Sequence, residues 1–144
     1  MGKLTQRLTD AARSGVFRVP RVDDVVDAAR GTGLDVAQAD LSGLHDKSAL
    51  LERLAQSLGF PDWFGANWDA LEDCLCDLSW RPGAGHVLLL RGHQALPPDD
   101  LGVLLDVLAA CAGFWAERRR PFFAAFVDPG RVLALPDLYR SKAP

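Results

Sequence analysis

Apolar positions recur along the chain in two rhythms, one helical and one of short strands. In residues 1–34, Leu4, Leu8, Ala11 and Ala12 fall at helical spacing, and Val22, Val25, Val26 and Ala29 repeat it, with Gly15, Pro20 and Gly31 as punctuation. This predicts an N-terminal helical extension. Residues 34–41 read instead as a short strand, with Ala37, Ala39 and Leu41 on one side and Gln38 and Asp40 on the other. Asp46 is suited to cap a helix that buries Leu50, Leu51, Leu54 and Leu58 and is stopped by Phe60-Pro61. A second helix follows Gly65 over residues 67–78, and Pro82, Gly83 and Gly85 mark a loop. The unbroken run from Val87 to Leu90 predicts a buried strand. After Pro97-Pro98, Asp99 or Asp100 caps a long helix whose apolar stripe is Leu101, Leu104, Leu105, Leu108, Cys111 and Trp115. Arg118, Arg119 and Arg120 suit its negative end. Residues 122–127 form a third apolar strand, followed by an Asp128-Pro129-Gly130 turn and a tail carrying Leu133, Leu135 and Leu138.

The order strand, two helices, strand, helix, strand calls for right-handed crossovers between parallel strands. The expected class is therefore α/β, a three-stranded parallel sheet packed by helices. The expected boundaries are an extension over 1–34, the domain over 35–128 and a tail over 129–144.

Composition narrows the partners. With 144 residues, 49% of them apolar, one core is the default. A net charge of −3 gives no whole-protein argument for binding nucleic acid directly. The arm is locally basic, with Lys3, Arg7, Arg13, Arg18 and Arg21 against Asp10, as a solvated surface helix often is. The cysteines, Cys74, Cys76 and Cys111, are too few for a secreted disulfide framework, and a reducing cytoplasm is the expected location. No run approaches the ~20 apolar residues of a membrane span, so no membrane partner is expected.

The informative stretch is 61–78. On a helical wheel Asp69, Glu72, Asp73, Cys76 and Asp77 share one face, opposite Trp68, Leu71, Cys74, Leu75 and Leu78. An acidic face is ordinarily just a solvated one. Here residues 54–80 contain no Lys, Arg or His, so the Asp69/Asp73 and Asp73/Asp77 pairs repel without a local counter-charge, at roughly 0.2–0.5 kcal/mol each. Such a surface suits a cationic partner. Trp63 and Phe64, adjacent aromatics between Pro61 and Gly65, can place one ring in the core and the other at an interface.

The run Phe60-Pro61-Asp62-Trp63-Phe64-Gly65-x-Asn67-x-Asp69-Ala70-Leu71-x-Asp73-Cys74-Leu75 resembles the loop and helix of the barstar family, cytoplasmic inhibitors of secreted bacterial ribonucleases. The element order over about 36–127 is similar as well. The resemblance implies a three-stranded parallel sheet and a small basic ribonuclease as partner. It places Asp73 at the central carboxylate, which occupies the phosphate site of the enzyme. Asp69 stands at a second carboxylate that pairs with an active-site arginine, and Trp63 at an aromatic that packs on the catalytic histidine. Gly65 and Asn67 match positions that shape the loop and helix start. Glu72 stands where the family often has a tryptophan and Cys76 where it has a small hydroxyl residue, and the third-helix glutamate has no match near Ala109-Ala110.

The expected partner-binding set is thus Trp63, Phe64, Gly65, Asn67, Asp69, Glu72, Asp73, Cys76 and Asp77, on a monomer with no catalytic residues, metal or cofactor. Cys74 and Cys111 are expected in the core and Cys76 as an exposed thiol. Cys74 and Cys76 would point about 160° apart on a helix, and His45, His86 and His93 lack ligand spacing. One alternative is an adaptor for another cationic protein. The other is a hydrolase using Asp69 and Asp73 as paired carboxylates, which on an exposed face lack the burial that separates two pKa values.

Overall fold

The computed structural model describes residues 2–62 and 64–140. Its centre is a four-stranded parallel sheet built from β1 (Gly15–Val19), β2 (Asp35–Asp40), β3 (His86–Arg91) and β4 (Phe122–Val127) in the order β1-β4-β3-β2. Around it lie α1 (Lys3–Leu8), α2 (Asp23–Ala29), α3 (Lys47–Leu58), α4 (Trp68–Leu75) and α5 (Pro98–Glu117).

Strand register explains why β3 and β4 are apolar throughout. Successive side chains point to opposite faces, and both faces of this sheet are covered. The row Val16, Ala124, Leu88 and Ala37 packs under α3, α4 and α5. One residue away, Phe123, Val87 and Val36 pack on the other face with Val25 and Ala29 of α2, Leu8 of α1 and Leu138 of the tail. The expected α/β class and parallel sheet are present.

The arm departs from expectation. It is helix, strand, helix, and its strand β1 pairs with the free side of β4, which makes the sheet four-stranded where three strands were expected. Val16, Phe17 and Val19 are short-range β formers between Gly15 and Pro20. An apolar β4 with one open edge supplies the partner that no local helical periodicity reveals. The tail then covers β1. Arg18 donates from Nε to Asp137 at 2.8 Å and from Nη1 to the Leu133 carbonyl at 2.8 Å. Thr5 Oγ1 donates to the Ala28 carbonyl at 2.8 Å, and the Tyr139 hydroxyl to Asp24 at 2.6 Å.

Helix starts divide by mechanism. Asp46 caps α3 as expected, its carboxylate accepting from the Ala49 N–H at 2.8 Å. Neither Asp99 nor Asp100 caps α5. That helix begins after Pro97 with Pro98 in its first turn, where the missing N–H is no loss, and the two aspartates lie inside the first turn near the positive dipole end.

Candidate functional site

The acidic segment is positioned by what precedes it. α3 ends at Gly59 in the left-handed region (φ 64°), with the Phe60 N–H donating back to the Ala55 carbonyl at 2.9 Å. Pro61 turns the chain, and the Phe64 N–H closes that turn on the Pro61 carbonyl at 3.0 Å. Phe64 is half-buried, edge-on to Phe60 at 5.0 Å, and Phe60 is edge-on to Trp80 at 6.0 Å. Phe64 is thus packed inward. Trp63 lies outside the described residues, and so does its expected contact role.

Gly65 and Ala66 lead into α4, Ala66 at a left-handed φ of 52°. Asn67 is the N-cap, its side-chain oxygen accepting from the Ala70 N–H at 2.7 Å. A Cβ on Gly65 would stand 3.3 Å from the Asn67 amide nitrogen. Within α4 Leu71, Cys74 and Leu75 are buried, whereas Asp69, Glu72 and Asp73 are exposed. Among the described residues no Lys, Arg or His lies within ion-pairing distance of these three carboxylates or of Asp77, whereas Asp10, Asp24, Asp27, Asp35, Asp40 and Asp137 each face an arginine.

Two expected members of the face sit elsewhere. α4 stops at Leu75, so the helical wheel does not extend to Cys76 and Asp77. Cys76 is the C-cap and is half-buried, its sulfur 3.5 Å from that of Cys111 on α5, not an exposed thiol on the acidic face. Asp77 lies in the following turn, where its N–H bonds the Cys74 carbonyl at 3.1 Å and its carboxylate accepts from the Ser79 N–H at 3.3 Å. Leu78 there has φ 51°. The reason is the buried end of the helix, which tertiary partners terminate. The Trp115 indole N–H donates to the Leu75 carbonyl at 2.8 Å, satisfying one of the carbonyls a helix end leaves open. Cys74 and Cys111 are core residues, as expected.

Trp115 is a positioning residue that periodicity disguises as simple core stripe. Arg118 is another element of the surroundings. Its guanidinium lies 3.5 Å from the Phe114 ring centroid and donates to the Phe114 carbonyl at 2.9 Å. Burial raises the Cys76 thiol above its ordinary value; the Cys111 contact and Arg118 oppose the rise, and Glu72 and Asp73 reinforce it. Behind the helix end, Arg81 holds Asp35 by paired bonds at 2.8 and 2.9 Å, and His86 Nδ1 lies 3.0 Å from the same carboxylate. Burial pushes the Asp35 carboxyl up, but the bonds from Arg81 and His86 outweigh it and hold the carboxyl below its ordinary value.

Asp69, Glu72 and Asp73 line none of the main clefts among the described residues, whereas Asp77 lines one of about 420 Å³ with Arg81, His86, Trp115 and Arg120. A cleft of about 950 Å³ lies between α1 and the tail, lined by Lys3, Leu4, Arg7, Leu138 and Tyr139. Among the described residues no three His, Cys, Asp or Glu side chains form a metal-binding group, and no helix is long and apolar enough to cross a membrane.

A parallel sheet with an acid-bearing helix docked on one face defines a small α/β protein of the barstar type. The chain matches the family described as Barstar (barnase inhibitor) over residues 34–127, and it belongs to that family, which is one of inhibitors, not of catalysts. No curated protein matches the chain. The matched stretch begins after β1, so one strand of the sheet lies outside it.

Proposed function

We propose that the protein is a cytoplasmic inhibitor that binds and blocks the active site of a small basic ribonuclease. In this reading Asp73 sits at the centre of the contact in the place of an RNA phosphate, and Asp69 pairs with an active-site arginine. Glu72 widens the negative face toward the partner's cationic rim, and Asp77 extends it past the helix end. Trp63 packs on the partner from the loop, while Phe64, Gly65 and Asn67 hold that loop and the helix start in shape. Cys76 contributes from beneath, through the end of the helix. The protein acts as a monomer and contacts no nucleic acid itself.

The observation that carries this reading is the run Asp69, Glu72 and Asp73, exposed on a helix anchored by buried contacts, without a basic partner among the described residues. Family membership supports the same conclusion. Removing a carboxylate from such an interface strands the enzyme's cations, at roughly 2–5 kcal/mol or more, a range that substitutions in the barnase–barstar pair help to define.

The test is titration of the parent and Asp73→Ala proteins against a small basic ribonuclease while RNA cleavage is followed. Inhibition by the parent and at least ~30-fold weaker binding by the variant, about 2 kcal/mol, are expected, with Asp23→Ala in α2 close to the parent. Equal inhibition by the variant, or none by the parent, defeats the proposal. Glu72 and Cys76 at positions where the family has other residues favour an adaptor for a different cationic protein as the second reading. That reading predicts a partner lost in Asp73→Ala with no effect on RNA cleavage, whereas a hydrolase would lose its own turnover.

A further inference from the structure

We infer that Cys76 and Cys111 are a redox-modification site, forming a reversible disulfide that staples the end of α4 to α5 when a peroxide oxidises the protein. Both thiols are free, and their sulfurs stand 3.5 Å apart although the residues are 35 positions apart in sequence. A disulfide requires about 2.05 Å. The remaining closure of about 1.5 Å falls at a place able to supply it. Cys76 is the C-cap of α4, followed by a turn in which the Asp77 and Leu78 N–H groups both bond the Cys74 carbonyl. Cys111 lies in the middle of α5 and directs its sulfur at α4, 3.9 Å from the Glu72 carbonyl.

The two thiols divide the work by exposure. Cys76 is half-buried and Cys111 fully buried, so an oxidant reaches Cys76 first. Two carboxylates, Glu72 and Asp73, act on that thiol against one cation, Arg118, so the net negative charge disfavours anionic oxidants such as oxidised glutathione but not neutral hydrogen peroxide. The Cys76 sulfur attacks one peroxide oxygen, the O–O bond breaks, and a sulfenic acid and one water result. Cys111 then forms the S–S bond as the S–O bond breaks, and the departing hydroxyl takes the Cys111 thiol proton as a second water. In total two thiols give up two electrons and two protons to one peroxide.

Cys74 is the internal control. It is fully buried, and burial, followed by Asp73 and Asp77, pushes its thiol up to about 11. The staple does not depend on the ribonuclease reading; only its consequence for inhibition does. By tying residues far apart in sequence it restricts the unfolded chain and so holds the helix that carries Asp69 and Asp73.

The experiment treats the free, full-length protein with hydrogen peroxide, then counts thiols by alkylation under denaturing conditions and maps linked peptides. The three free thiols should fall to one, with Cys76 joined to Cys111 and Cys74 alkylated. Dithiothreitol should restore all three. The Tm should rise by at least ~5 °C on oxidation and return on reduction. Neither Cys76→Ser nor Cys111→Ala should form an intramolecular bond, and the half-buried position of the first keeps the test open if the second fails to fold. Three surviving thiols, a bond to Cys74, a disulfide-linked dimer or a lowered Tm would overturn the inference. Because the readout needs no ribonuclease, a failed staple and a failed inhibitor assay are separate results.

Discussion

Asp73 shows how a single residue can be poor for the fold and well suited to a surface. It lies in the last turn of α4, where the helix dipole disfavours a negative charge, four residues after Asp69, in a residue type with low helix propensity. Asp73→Ala should therefore leave stability equal to the parent or raise it by about 0.5–1 kcal/mol. Chemical denaturation showing a loss would mean that Asp73 is structurally paired. His93 illustrates the opposite situation. It is buried edge-on against Phe126 at 5.5 Å, with its Nδ1 unbonded among the described residues. Burial lowers its pKa, and that of His86, below the unfolded value near 6.5, against the pull of Asp128 and Asp35 respectively. Both histidines favour the fold at neutral pH. As pH falls through 6.5 the unfolded chain takes up protons that the folded one resists, so this stability is lost toward the folded pKa values. Urea midpoints should drop between pH 7 and pH 5, and His93→Phe should flatten the slope. An equally steep profile in the variant would assign the loss elsewhere.

At the scale of the element, α4 is short, and isolated helices of its length do not persist in water. Its ends and buried side supply what length does not. Asn67→Ala removes the bond to the Ala70 N–H and should cost about 1 kcal/mol, whereas Asn67→Asp should retain most of it. Trp115→Phe keeps most of the ring but strands the Leu75 carbonyl, and should cost about 1–3 kcal/mol. Urea denaturation of the three variants checks both values. A neutral Trp115→Phe would show that the helix end is held by packing alone. The same anchoring explains why the expected helix of residues 67–78 stops early, since Leu75 and the turn after it are directed by α5, an element that begins 23 residues further on.

Across the whole molecule, the arm is a structural layer. Leu8, Val19, Val25 and Ala29 cover the sheet face that carries Val87, Leu89, Phe123 and Ala125. Each large apolar side chain buried there contributes roughly 1.5–3 kcal/mol, a sum comparable with the net stability of a domain. Deleting residues 2–30 should abolish cooperative unfolding and produce a dye-binding, aggregation-prone chain; a sharp transition in the truncated protein would show that residues 31–144 fold without the arm. The asymmetry of charge acts at this scale too. With Asp69, Glu72 and Asp73 exposed on α4, association with the proposed basic ribonuclease should slow steeply as salt rises, because the field that guides encounter is screened beyond about 10 Å at 0.1 M. Stopped-flow rates that stay flat from low to physiological ionic strength would count against steering.

Sequence by itself determined the class of fold and the helix that carries the exposed acids. The apolar runs of β3 and β4, the caps at Asp46 and the Asn67 start, and the opposition of Leu71 and Leu75 to Asp69 and Asp73 are local patterns, fixed by the period of a strand or a helix. The family resemblance was legible for the same reason, since its residues lie in one continuous stretch. Only the tertiary structure decided the fourth strand, because β1 needs the open edge of β4, more than 100 residues away. It also decided where α4 ends, because Trp115 and Cys111 reach that end from another helix, and it moved Cys76 from the acidic face into contact with Cys111. Periodicity records which way a side chain points from its own element; what stands there to meet it is settled by how distant elements pack.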